Sequence, residues 1–170
     1  MEVEEDLIHT LIQVDFMKIN ITPISKVDYN DLCDLMILFA KASGVSDLDM
    51  PQYDREYAKN VLLRCERTGA SFIARAEDGT ALGMILSMRI QELWIPNIIR
   101  LRELAWFVRD EYRHTTVGAR LFAAYKQAAE QMRAQNKITG YTMTKLHNSD
   151  NFDYEKRGFK FIEATYMVGA

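Results

Sequence analysis

The stretch Trp106-Phe-Val-Arg-Asp-Glu-Tyr-Arg-His-Thr-Thr-Val-Gly118-Ala119-Arg120-Leu121 decides how this chain folds. Its apolar start finishes a strand, a polar turn follows, and a helix opens on the small residues Gly118 and Ala119. Successive main-chain N–H groups in such a turn, with the free donors of the first helical turn, make a nest for an anion. A diphosphate needs those donors, and needs small side chains so that the backbone can approach it. Thr115 and Thr116 add hydroxyls and Arg113 adds positive charge. His114 either touches a phosphate or stays an exposed loop residue. The segment from Arg113 to Ala119, Val117 included, is the candidate anion site.

Upstream of it, Leu101 to Val108 reads as a strand. Alternation places Glu103, Ala105 and Phe107 on one face, and Leu104, Trp106 and Val108 on the other. Downstream, Val117, Leu121, Tyr125, Ala128 and Met132 share one face of a long helix. Ile138 to Leu146 then reads as a strand, His147 to Lys156 as a short helix, and Phe159 to Val168 as a last strand. Towards the N-terminus, Ser71–Ala76 and Ala81–Ile90 flank Asp78-Gly79, a good hairpin signal. Before them, Pro51 opens a helix carrying Tyr53, Tyr57, Val61 and Cys65, closed at Thr68-Gly69. Ser25 with Asp28 resembles a capping box, ahead of a helical face of Val27, Leu32, Leu35, Met36 and Phe39 that Gly44 ends. Ile19 to Ile24 reads as the first strand. This mixed order predicts an α/β layered sheet, not a doubly wound one. The absence of GxGxxG after the first strand disfavours a dinucleotide site.

With 170 residues the chain fits one domain, here residues 17–170, preceded by a helical extension over residues 1–16. In that extension Glu2, Glu4, Glu5 and Asp6 suit a helix start, and Leu7, Ile8, Leu11 and Ile12 form an apolar stripe. The stripe suits packing on its own domain or self-association as a homodimer. A net charge of −3 argues against a nucleic-acid binder held by phosphate contacts. Cys33 and Cys65 lie far apart and read as buried thiols in a reducing compartment, which points to the cytoplasm. His9, His114 and His147 show no zinc-ligand spacing, so no metal is expected, and no apolar run is long enough to span a membrane.

The turn resembles the pyrophosphate loop of the GNAT superfamily, which runs Arg or Gln, two residues, Gly, one residue, then Gly or Ala. Arg113-x-x-Thr116-x-Gly118 matches at both ends, and Thr116 stands where the family usually has glycine. A β-branched residue resists φ > 0, so either the loop stays in the α region there or binding is weakened. Asn151-Phe-Asp-Tyr154-Glu-Lys-Arg-Gly158-Phe159 is similar to the family's C-terminal stretch of tyrosine, Glu-Lys, any residue, then Gly-Phe. In element order the likeness covers Met17 to Ala170. A fainter one, in Glu103 to Val108 and the ending Gly-Phe…Glu163…Tyr166, is to small GNAT proteins of tailed bacteriophages.

The resemblance implies a mostly antiparallel central sheet of six to seven strands flanked by helices, with the fourth and fifth strands splayed. It implies an N-acetyltransferase that passes the acetyl group of acetyl-CoA directly to a primary amine on a small molecule, a lysine or a protein N-terminus. The pantetheine arm would lie between the splayed strands, with a backbone N–H near Phe107 or Val108 polarising the thioester. Tyr154 matches the family's acid for the departing thiolate. Glu103 is the leading base, with Asp110 or a water relay behind it and a solvated or salt-bridged Glu beside Arg102 as the plain alternative. His147 stands where the family often has an asparagine, seven residues before the tyrosine, so either Asn148, by a one-residue shift, and Asn151 contact the coenzyme or His147 takes the asparagine's place; His147 is otherwise a base or a polar loop residue. Trp94, Tyr53 and Tyr57 are expected to border the acceptor site or simply to be core or surface aromatics. The alternative function is a catalytically inactive GNAT-fold protein serving as a binding or structural component. A transferase acting on a nucleic-acid base amine is disfavoured.

Overall fold

The computed structural model describes residues 18–43, 53–146 and 152–163. Strand β1 spans Asn20–Pro23 and is followed by helices α1 (Tyr29–Ser43) and α2 (Arg55–Thr68). Strands β2 (Phe72–Arg75), β3 (Ala81–Gln91) and β4 (Ile99–Val108) come next. Helix α3 (Val117–Ala134) and strand β5 (Gly140–Thr142) complete the regular elements, and short 3-10 turns stand at Lys26–Asp28, Asp110–Tyr112 and Glu155–Arg157. The strands form one sheet in the order β1-β2-β3-β4-β5, antiparallel throughout except for the parallel pair β4–β5.

Local chemistry explains the boundaries. The Asp28 carboxylate accepts from the Ser25 N–H at 2.9 Å and from its hydroxyl at 3.0 Å, fixing the entry to α1. Helix α2 starts later than Pro51, which lies outside the described residues. Its cap is Asp54, whose side chain accepts from the amides of Glu56 and Tyr57. Gly79, at φ +90°, closes the β2–β3 hairpin in a conformation that side chains resist.

The sheet is covered on both faces. Leu32, Cys33 and Leu35 of α1 and Ala58, Leu62 and Cys65 of α2 pack with Ile73, Met84, Leu86, Ala105 and Phe107. On the other face Val117, Leu121, Tyr125 and Ala129 of α3 meet Ala74, Leu82, Ile85 and Leu101. Each fully buried leucine in these layers contributes roughly 2 kcal/mol. Both cysteines are buried and unpaired.

Two expectations change. The β3–β4 register steps from Leu86↔Ala105 to Ser87↔Glu103, so Leu104 is an extra residue, a bulge, in β4. The bulge reverses the alternation. Leu101 packs on the α3 face while Ala105 and Phe107 pack under α1 and α2. Glu103 pairs with Ser87 and sits two residues from Leu101, so it belongs to the α3 face and not with Ala105 and Phe107. The sheet also has five strands among the described residues, fewer than the expected six to seven. The strand expected over residues 138–146 shortens to β5. Residues 159–163 are not strand, and residues 164–168 fall outside the described residues. Of the helix expected over residues 147–156, the described part shows only the last 3-10 turn.

Gly69 fixes how closely α2 approaches the sheet. A Cβ there would lie 1.8 Å from the Ser87 carbonyl oxygen, whereas one at Gly140 would meet nothing within 4 Å. Gly69→Ala should therefore destabilise the fold by about 3 kcal/mol in urea unfolding, and Gly140→Ala by well under that. Equal effects would show that the contact yields freely.

Candidate active site

The polypeptide leaves β4 at Val108, makes one 3-10 turn and enters α3 at Val117. Within this connection four amides are used locally, the first being that of Tyr112, which donates to Arg109 O at 2.9 Å. Arg113 donates to Asp110 O at 3.3 Å and Thr115 to Tyr112 O at 3.1 Å, while the Val117 N–H donates to the Thr115 hydroxyl at 3.2 Å. Helical bonding begins with Arg120 N–H to Thr116 O. The amides of His114, Thr116, Gly118 and Ala119 have no acceptor among the described residues, and they cluster at the positive end of an 18-residue helix. Thr116 holds φ −78° and ψ 0°, so the loop stays in the α region and needs no glycine there. Arg113 is half-exposed, 3.0 Å from Asp110 Oδ1 and 5.9 Å above the Phe107 ring.

Beside this mouth the edge of β4 is open. Strand β5 pairs with β4 from Arg100↔Gly140 to Arg102↔Thr142, so among the described residues the C-terminal half of β4 has a ladder partner on the β3 side alone. The Arg109 N–H donates to Leu82 O of β3 at 2.9 Å. By alternation Phe107 also turns its main chain to β3, leaving the N–H groups of Trp106 and Val108 on the open edge. Of the two expected donors, Val108 is thus placed to face the cleft and Phe107 is not.

At the fork Glu103 is only 3% exposed, which excludes the solvated reading, and among the described residues Arg102 acts on it only as a nearby charge. Its Oε2 accepts from the Thr144 N–H at 2.9 Å, and the Tyr154 hydroxyl donates to Thr144 O at 3.4 Å. Tyr125 donates to Thr142 O at 2.9 Å. Burial pushes the Glu103 carboxyl up to about 7, against smaller opposing effects of the Thr144 hydrogen bonds and the Arg102 charge. Burial, then the Glu103 charge, pushes Tyr154 up to about 12.

A model of the Acetyltransferase (GNAT) family matches residues 35–159, most of the chain. The protein belongs to the GNAT family. A GCN5-related N-acetyltransferase from Ralstonia eutropha JMP134 superposes with a TM-score of 0.66 at 18% identity, covering 89% of this chain and 99% of its own. A possible acetyltransferase from Clostridium difficile 630 gives 0.65 at 21%, covering 88% and 97%. An aminoglycoside N-acetyltransferase in complex with CoA gives 0.58 at 15%, covering 91% and 95%. These likenesses establish the fold. A search of curated proteins gives no match.

Within this GNAT domain several residues of the site carry no loop or C-terminal motif. A groove of about 540 Å³ runs along α3 past the mouth, lined by Ala119, Phe122, Ala123, Lys126, Lys156 and Arg157. Helical spacing from Ala119 to Phe122, Ala123 and Lys126 would have revealed one side of it. The other side comes from the 3-10 turn of the C-terminal motif. Trp106, Phe122, Phe152, Tyr154 and Phe159 form a chain of ring contacts between 4.8 and 6.1 Å. Thr144, which joins Glu103 to Tyr154, carries no sequence signal. Asn148 and Asn151 lie outside the described residues. Trp94 is 84% exposed on the β3–β4 loop, beyond the Gln91↔Ile99 pair and so at the sheet end opposite the mouth. Tyr57 is exposed, and Tyr53 binds Cys33 O from a half-buried position. Among the described residues no group of three or more His, Cys, Asp or Glu could hold a metal ion, and no helix is long and apolar enough to cross a membrane.

The buried Glu103 carboxyl makes stability depend on pH. Its folded pKa lies above its unfolded value of 4.5, so the burial penalty is absent below 4.5, grows up to about 7 and is constant beyond. The stability of Glu103→Gln relative to wild type should therefore rise by about 3 kcal/mol between acid and mildly alkaline pH. A difference that is flat with pH would show that the carboxyl is not held in this way.

Proposed function

We propose that the protein is an acetyl-CoA–dependent N-acetyltransferase acting on a primary amine by direct attack. The observation that carries this reading is the set of amides at His114, Thr116, Gly118 and Ala119 that have no acceptor among the described residues, standing beside the open edge of β4. A diphosphate at the helix mouth would accept from those amides, with Arg113 and the threonine hydroxyls beside it. The pantetheine arm would run along β4, meeting the N–H groups of Trp106 and Val108. The nucleotide end, with its additional phosphate, would follow the groove toward Lys126, Lys156 and Arg157.

In this scheme Glu103, through a water, takes a proton from the substrate ammonium. The free amine attacks the thioester carbonyl, whose oxygen is held by an open-edge N–H. One oriented donor of this kind is worth about 3 kcal/mol in the transition state. The C–S bond breaks and the thiolate takes the Tyr154 proton. The second amine proton then returns to the tyrosinate, and the proton on Glu103 leaves to solvent. A carboxyl near 7 suits a base at neutral pH, and a phenol near 12 keeps its proton until a thiolate forms.

The α-region conformation of Thr116 removes the steric objection to an active loop. Binding without turnover would point instead to the non-catalytic alternative. Acetyl-CoA at a hundred times its Kd should stabilise the protein by about 2.7 kcal/mol in thermal unfolding, and no shift at millimolar ligand would remove the coenzyme reading. Tyr154→Phe should lower kcat about a hundredfold or more while leaving coenzyme affinity largely intact. Wild-type kcat/KM should rise with pH through an inflection near 7 that Glu103→Gln lacks. An inflection that persists in the variant would take the base role from Glu103.

A further inference from the structure

Just past its pairing with β4, the chain leaving β5 is held by side chains rather than by the β4 main chain. Tyr125, a fully buried residue of α3, donates its hydroxyl to Thr142 O at 2.9 Å. Two residues later the Thr144 N–H donates to Glu103 Oε2, and Tyr154 reaches Thr144 O from the C-terminal turn. Main-chain pairing with β4 stops at Thr142.

An open fork of this kind has a physical cost. The Trp106 and Val108 amides on the β4 edge would gain partners if the chain after Thr142 continued the parallel ladder, and buried main-chain groups strongly favour pairing. Neighbouring strands sit only about 4.8 Å apart, which leaves no room for a ligand between them. Something must therefore stop the ladder from closing. A carboxylate on a two-methylene arm reaches farther than a backbone carbonyl, so Glu103 holds Thr144 at side-chain distance from β4. Tyr125 fixes the residue where the strands part, from a rigid helix beneath them.

We infer that Tyr125 and Glu103 are positioning residues that hold the β4–β5 fork open and so set the affinity for the pantetheine arm of the coenzyme. This rests on the acetyl-CoA reading of the site and adds a role for Tyr125 that the chemistry itself does not need. The ring of Tyr125 also packs against Tyr141 at 5.9 Å, so Tyr125→Phe removes the hydroxyl and keeps the packing.

Isothermal titration with two probes separates the possibilities. Coenzyme A carries the pantetheine arm, and adenosine 3′,5′-bisphosphate lacks it. Tyr125→Phe should weaken coenzyme A about five- to tenfold and leave the bisphosphate unchanged. Glu103→Ala should do the same, whereas Glu103→Gln, whose amide oxygen can still accept from Thr144, should retain coenzyme A affinity even where turnover falls. The inference is overturned if Tyr125→Phe and Glu103→Ala bind coenzyme A like wild type, or lose both probes equally. Wild-type protein that binds neither probe would overturn the coenzyme reading beneath it.

Discussion

Beyond Arg102 the main chain of β4 has, among the described residues, a strand on one side only, and most of the site follows from that constraint. Backbone N–H groups at a sheet edge attract any acceptor that can approach. Here the approach is shaped from three directions. The helix mouth closes one end of the edge, the side-chain struts under β5 guard the fork, and the C-terminal turn brings Tyr154 and Phe159 against α3. Gly158, at φ +89°, permits the reversal that returns Phe159 to Phe122, Tyr141 and Tyr154.

The bulge at Leu104 links this edge to the chemistry. Without it Glu103 would share a face with Ala105 and Phe107 and lie under α1 and α2, remote from Thr144 and Tyr154. One extra residue moves the carboxylate to the α3 face while Ala105 and Phe107 stay in the other core layer. A β-bulge costs a ladder position, and its gain is a re-aimed side chain. Leu104, the residue so displaced, is among the more exposed large apolar side chains of the sheet.

This division between local and nonlocal causes decides what could be read from the chain alone. The helix mouth was legible because nest, small residues and helix start are contiguous in sequence from Arg113 to Ala119. The C-terminal turn was legible for the same reason, through Tyr154 to Phe159. The two helices before β2 and the Asp78-Gly79 hairpin were legible from periodicity and turn chemistry. The orientation of Glu103 was not, since a bulge is set by the pairing of two strands and strict alternation predicts the opposite face. Thr144 was illegible because its part is played by its main chain, which any residue supplies. The shortness of β5 escaped for a related reason: residues 138–146 have strand-like composition, but the partner edge is withdrawn after three pairs. Trp94 follows an 11-residue β3, and that length, which sets its distance from the helix mouth, has no local mark in the sequence.

One buried donor bears on what the open edge is for. The Trp106 Nε1 is buried without an acceptor among the described residues, a state that costs about 1–3 kcal/mol. Its ring is held by Phe122 at 5.6 Å and Phe152 at 5.1 Å, and a Cβ on Gly118 would lie 3.8 Å from its Cζ2. The same strand segment therefore carries unsatisfied donors on its main chain and on a side chain, next to the helix mouth with its own free amides. A flexible chain bearing amide and phosphate oxygens is the kind of partner that can meet the main-chain donors of the edge and of the mouth along one path. The aromatic wall gives that chain an apolar surface to lie on, and the basic groove beyond it gives its charged end a place to stop.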